Sequence, residues 1–169
     1  MKKRLNAGIT IMELLIYIGI MTLALVSIVS LLINATDIIT AVKQDKEIRS
    51  SAFTALDRIG REVKGATEIV KAESSFDSDP GVLTINAVDE NGDQYEATFE
   101  VSGDDLNISY DDTVLGSLIS EDVTVESLTF YLSETATSRS VRTELTLSHL
   151  DDPSKQKTFY LTTVPRGMY

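Results

Sequence analysis

Gly8-Ile9-Thr10-Ile11-Met12-Glu13-Leu14-Leu15 opens an apolar run that carries no charge from Leu14 to Ile33. Three basic residues, Lys2, Lys3 and Arg4, precede it. About 20 apolar residues is the length an α-helix needs to cross the hydrocarbon of a bilayer. One carboxylate, Glu13, stands at the mouth of the run. Carried to the bilayer centre, a carboxylate costs on the order of 2.5–3.5 kcal/mol. An acid in that place asks for a partner or a task.

Beyond the run the pattern stays helical. Ile38, Val42, Ala52, Leu56, Ile59 and Val63 recur at three- and four-residue steps, with Ile48 and Phe53 flanking the stripe. Asp45 with Arg49, and Asp57 with Arg61, stand four apart with the acid first, an arrangement that favours a surface helix. The apolar stripe reads as a face that packs on a sheet, and Gly65 as a left-handed stop. A continuous helix over 9–64 would reach roughly 85 Å at about 1.5 Å per residue. From Thr67 the period changes to two. Tyr95, Ala97, Phe99 and Val101 alternate with polar neighbours, as do Leu106, Ile108 and Tyr110, and Val141, Leu145 and Leu147. Shorter strands are expected over 68–71, 82–87 and 158–164. The stretch 123–132 shifts phase at Ser127, where a bulge fits. Turn signals fall at Asp79-Pro80-Gly81, Asn91-Gly92, Gly103-Asp104 and Asp151-Asp152-Pro153. The polar stretch 74–79 reads as a mobile loop.

The expected class is therefore α+β: a long N-terminal helix, one half membrane-like and one half amphipathic, packed on an antiparallel β-sheet. Residues 1–8 form a leader, 9–36 the membrane half of the helix, 37–66 its amphipathic half and 67–169 the β domain. The 169 residues carry a net charge of −11, which argues against direct nucleic-acid binding, since phosphate contacts need Lys/Arg clusters. With no cysteine, disulfides and thiolate metal sites are excluded.

The head of the chain resembles the processing motif of type IV prepilins and type II secretion pseudopilins: a short basic leader, Gly8, four uncharged residues, Glu13 and a membrane-length run. The resemblance implies that a prepilin peptidase cuts after Gly8 and methylates the new amine of Ile9, and that Glu13 assists docking between subunits. Two features depart from the commonest pattern: Ile9 replaces the usual Phe, and Ser30 stands about where many major pilins carry a kinking Pro. The implied product is a non-catalytic subunit without cofactor. It would be made as a single-pass inner-membrane protein with its C-terminal domain outside the cytoplasm. Its implied partners are other pilin or pseudopilin subunits, membrane lipid and an inner-membrane assembly platform, in a type IV pilus, a secretion pseudopilus or a DNA-uptake filament. The strand number is similar to that of larger minor subunits such as the J-type pseudopilins.

Two other readings compete for the head of the chain. A cleaved secretory signal has a shorter apolar core of about 7–15 residues with small residues at its cleavage site, unlike Ile33-Asn34-Ala35. An uncleaved signal anchor carrying an extracytoplasmic binding domain fits the length and the basic flank but leaves Gly8 and Glu13 unexplained.

Other candidate chemistry is sparse. His149, the only histidine, stands at the end of an expected strand beside Leu150 and Asp151 and reads as a solvated residue. Asp89, Asn91, Asp93 and Glu100 have positions 1, 3, 5 and 12 of a calcium loop, yet Gln94 stands where that loop needs Gly, so a solvated turn is favoured. Asp104-Asp105 and Asp111-Asp112 flank one short strand and form a second candidate for a hard cation, against a reading as solvated acids.

Overall fold

The computed structural model describes residues 10–89, 91–135 and 138–166. Gly8 and Ile9 lie outside the described residues. Among the described residues one helix, α1 (Ile11–Gly65), is followed by eight strands. They are β1 (Ala66–Ile69), β2 (Leu83–Val88), β3 (Gln94–Ser102), β4 (Asp105–Tyr110), β5 (Thr113–Ser117), β6 (Val123–Glu134), β7 (Arg139–His149) and β8 (Asp152–Thr163). The fold is α+β. The antiparallel strands form two sheets, one in the order β1-β2-β3-β4-β5 and one in the order β6-β7-β8. Both are meanders, with each strand beside its neighbour in sequence.

α1 begins where Thr10 caps it: the Thr10 hydroxyl accepts from the Glu13 amide at 3.2 Å. This bond satisfies one of the amides that a helix start leaves without an internal partner. The helix is long and apolar enough near its N-terminus to cross a membrane. The chain divides into two compact units within α1, the second being Gln44–Tyr169.

In that second unit the helix buries Ile48, Ala52, Ala55, Ile59 and Val63, a stripe at steps of three and four. Against it lie Leu83, Ile85, Phe99 and Leu106 of the larger sheet and Leu128, Phe130, Leu145 and Leu147 of the smaller one. The stripe is rotated from the sequence expectation. Ile48 is central rather than flanking, Leu56 is half-covered, and Phe53 stands 75% exposed. Ile38 and Val42, expected in the same stripe, are exposed.

Gly65 is the last helical residue but is not left-handed; α1 runs straight into β1. The backbone carbonyl of Lys64 instead accepts from the Arg166 amide at 3.2 Å, so the end of the chain closes the end of the helix. The hairpin at Asn91-Gly92 forms, with Gly92 at φ 90°. The bulge at Ser127 forms between Val125 and Ser127. The turn expected at Asp151-Asp152-Pro153 is shifted: β8 starts at Asp152 and takes Pro153 into the strand, which an edge strand tolerates.

The stretch 74–79, expected to be mobile, is held by its hydrogen bonds. The Ser75 amide donates to the Val82 carbonyl at 2.8 Å and the Asp77 amide to the Phe130 carbonyl at 2.9 Å. Asp79 accepts from the Leu128 amide at 3.0 Å, and the Gly81 amide donates to the Leu128 carbonyl at 2.7 Å. This segment therefore covers the outer edge of β6. A Cβ on Gly81 would lie 3.1 Å from the Leu128 carbonyl oxygen, so the close approach needs glycine.

Candidate functional site

Glu13 lies in the first turn of α1, where an acid also complements the helix dipole. Its carboxylate accepts a hydrogen bond from the Tyr17 hydroxyl, one turn on, at 2.8 Å. Residues four apart face each other on a helix, so this partner is supplied locally. It is also the reason Glu13 is the one residue from 10 to 40 that is partly covered, while all its neighbours there are exposed. Thr10, Glu13 and Tyr17 thus make a short polar line at the mouth of an otherwise apolar surface: Thr10 fixes the helix start, Tyr17 steadies the carboxylate. A carboxylate with a single hydroxyl donor keeps most of its acceptor capacity and all of its charge for a further cation.

The second unit carries its own polar links between helix and sheets. Glu62 is buried and accepts from the Tyr95 hydroxyl at 2.8 Å, the Tyr110 hydroxyl at 2.5 Å and the Arg58 guanidinium at 3.1 Å. Arg58 also donates to the Tyr110 hydroxyl. Burial first, then the hydrogen bond to Glu62, pushes the Tyr95 phenol up to about 12. Burial and Glu62 raise Tyr110 in the same direction. A buried carboxylate with three donors is satisfied, and that makes the cluster a structural clamp between α1 and strands β3 and β4. Asp45 pairs with Lys157 of β8 in the same role.

His149 is not solvated as expected: only 4% of it is exposed. Its Nδ1 accepts from the Asp151 amide at 3.1 Å, so Nε2 carries the proton and donates to Glu47 at 3.0 Å. The imidazole is thus another link between α1 and β7. The chain separation of 102 residues between His149 and Glu47 hides this pair from any local pattern.

The acidic candidates do not converge. Asp89 turns its Oδ1 back on its own loop, accepting from the Asn91 amide at 2.8 Å and the Asp93 amide at 2.9 Å. The bond from the Asp93 amide, chief among these, holds the Asp89 carboxyl below its ordinary range. Glu100 lies far along β3, opposite Asn107 and about 20 Å from this loop at about 3.3 Å per residue. Asp104-Asp105 and Asp111-Asp112 sit at opposite ends of the six-residue β4. Asp111 and Asp112 have φ of 46° and 62° and form the two-residue turn into β5, with the Asp111 carboxylate accepting from the Glu96 amide at 2.9 Å. Among the described residues no group of three or more His, Asp or Glu is placed to hold a metal ion.

No family model, no curated protein and no solved structure matches the chain.

Proposed function

We propose that this chain is a prepilin-like minor subunit of a type IV pilus, a type II secretion pseudopilus or a DNA-uptake filament. Prepilin peptidase trims it after Gly8 and methylates Ile9. The subunit waits in the inner membrane with its β domain outside the cytoplasm, then leaves lipid through the assembly platform and packs among other pilin subunits. Its work is structural and non-catalytic, and a J-type minor place in the filament suits the number of strands.

The observation that carries this reading is Glu13. It is the only charge from residue 10 to residue 36, it stands in the first turn of a membrane-length helix, and it is five residues past Gly8. In lipid a carboxylate is costly, and a free ammonium at Ile9 of a neighbouring subunit would neutralise it. Such a pair sets register between helices more surely than it adds net stability, because desolvation offsets much of the attraction.

A second reading is favoured by one specific contact. The Tyr17 hydroxyl already partners Glu13 at 2.8 Å, which makes the acid tolerable without a neighbour. On that reading the chain is an uncleaved, signal-anchored extracytoplasmic binding domain that never polymerises. Mass spectrometry of the mature N-terminus separates the two. A start at N-methylated Ile9 is expected; an intact start at Met1 would overturn the filament reading and leave the anchor.

A further inference from the structure

The smaller sheet ends in β8, twelve residues with no strand on their outer side among the described residues. An open edge presents unpaired backbone donors and acceptors, and proteins blunt such edges by shortness, bulges, Pro, Lys or cover. The other edges of this protein are treated in those ways. The segment through Asp77, Asp79 and Gly81 covers β6. β1 is four residues long, and β5 is five residues long with a register shift opposite Ile108 and Ser109. β8 is protected over its first half only, where Pro153, Lys155 and Lys157 stand. The second half, Thr158-Phe159-Tyr160-Leu161-Thr162-Thr163, has neither proline nor charge.

Alongside that half runs a groove of about 440 Å³ between β8 and the helix. Phe53 and Tyr160 line it, 75% and 59% exposed, together with Phe159. So do Arg49, Arg61 and Lys64. Arg49 pairs with Asp45, which also takes Lys157, and Arg61 pairs with Asp57. Three cations, Arg49, Arg61 and Lys64, therefore line the groove with one acid, Asp57, in a chain whose net charge is −11. Lys64 has no ion-pair partner among the described residues. Arg142 of β7 stacks 5.1 Å over the Tyr160 ring and holds it in place.

We propose that residues 158–163 of β8 are a strand-addition site for an extended acidic segment of a partner protein. Backbone hydrogen bonds to the open edge would supply affinity. In the register that turns its carboxylates to the helix side, the added strand would set them beside Arg61 and Lys64 and lay their methylene stems across Phe53 and Phe159. The chemistry selects an acidic partner because the groove is positive where the rest of the chain is negative. The site does not depend on the filament reading; an anchored domain would carry it equally.

The test uses the full chain in phosphatidylcholine nanodiscs and two labelled eight-residue peptides, one alternating valine with glutamate, the other valine with lysine. Fluorescence anisotropy should show the glutamate peptide binding at least about tenfold more tightly than the lysine peptide, with binding weakened by added salt. Hydrogen exchange should slow at the amides of 158–163. Arg61→Glu combined with Lys64→Glu should weaken binding at least about tenfold, and Phe53→Ser, at an exposed position outside the core, should weaken it with the charges intact. Equal binding of both peptides, no binding of either, protection confined to β5, or indifference to the charge reversal would each overturn the proposal. So would slowing of the β8 amides by phosphatidylglycerol vesicles but not by peptide, which would make the groove a lipid site.

Discussion

The Tyr110 hydroxyl donates to Glu62 at 2.5 Å and thereby joins the end of β4 in the larger sheet to the helix that covers it. Tyr95, whose ring centroid is 5.0 Å from that of Tyr110, makes the same bond from the adjacent strand. Glu62→Ala leaves the Tyr95 and Tyr110 hydroxyls without their acceptor in a half-buried place, and should cost about 1–3 kcal/mol. Glu62→Gln keeps the shape but loses the charge, and should cost about 1–2 kcal/mol. Urea unfolding measures both. If the alanine variant unfolded at the wild-type midpoint, the cluster would not be a clamp.

The same cluster sets a pH limit. An unfolded tyrosine ionises near 10, and Tyr95 in the folded chain near 12. The folded state holds this proton more tightly, so the group's contribution is complete below pH about 10 and is lost as pH rises toward 12. Stability should fall across that window. An absorbance titration of the folded chain should find Tyr95 among the last of the six tyrosines to ionise. In Glu62→Gln its transition should move down, because the carboxylate that penalises a phenolate is gone. A transition unmoved by that change would assign the shift to burial alone.

Two core positions should respond in opposite senses. At Gly81 an added Cβ meets backbone at 3.1 Å, so Gly81→Val should cost about 1–3 kcal/mol by forcing β6 and its cover apart. Thr163 is 3% exposed and its hydroxyl has no partner among the described residues. Thr163→Val removes that hydroxyl at nearly constant volume and should stabilise the chain by about 1 kcal/mol. Paired thermal melts decide each, and a destabilised Thr163→Val would mean that the hydroxyl is satisfied in solution.

If the filament proposal holds, Glu13→Gln should insert in the membrane and be cleaved after Gly8, yet enter filaments poorly. Tyr17→Phe, which removes only the hydroxyl 2.8 Å from Glu13, should leave cleavage and filament entry close to normal. The ratio of filament-associated to membrane-associated mature protein reports both. A normal ratio for Glu13→Gln would remove the docking role.

Gln44–Tyr169 forms a compact unit, so a chain beginning at Asp37 should be soluble and fold cooperatively. A chain beginning at Thr67 lacks Ile48, Ala52, Ala55, Ile59 and Val63, exposes the sheet faces they cover, and should aggregate. Equal solubility and equal resistance to heat would show that the helix contributes little to the domain.

Strands with one buried face were legible because alternation is a local signal: Tyr95 to Val101, Leu106 to Tyr110 and Val141 to Leu147 all form. β5 was not, because Val114 and Leu115 are adjacent and both exposed, so no face alternates. Its entry turn, Asp111-Asp112, was read for its charges rather than for the left-handed backbone that aspartate tolerates. The division into two sheets was not legible either, since alternation identifies faces but not which strands pair. At the head of the helix, Tyr17 stands four residues after Glu13, a spacing visible in sequence but submerged in an uncharged run. No local pattern marks Glu47 and Glu62, because their partners come from strands far along the chain.

Because within each sheet every strand pairs with the one made just before it, pairing can proceed in the order of synthesis. Hairpins close with short loops and small entropy losses, which favours quick formation. The strand pairs of the first sheet are complete once β5 is made. The second is different: Asp77, Asp79, Gly81 and Asp104 already wait with hydrogen-bonding groups for β6 when it emerges. The early half of the domain thus serves as a template for the late half, and a chain interrupted after β5 would display an unclaimed row of donors and acceptors on its 77–81 segment.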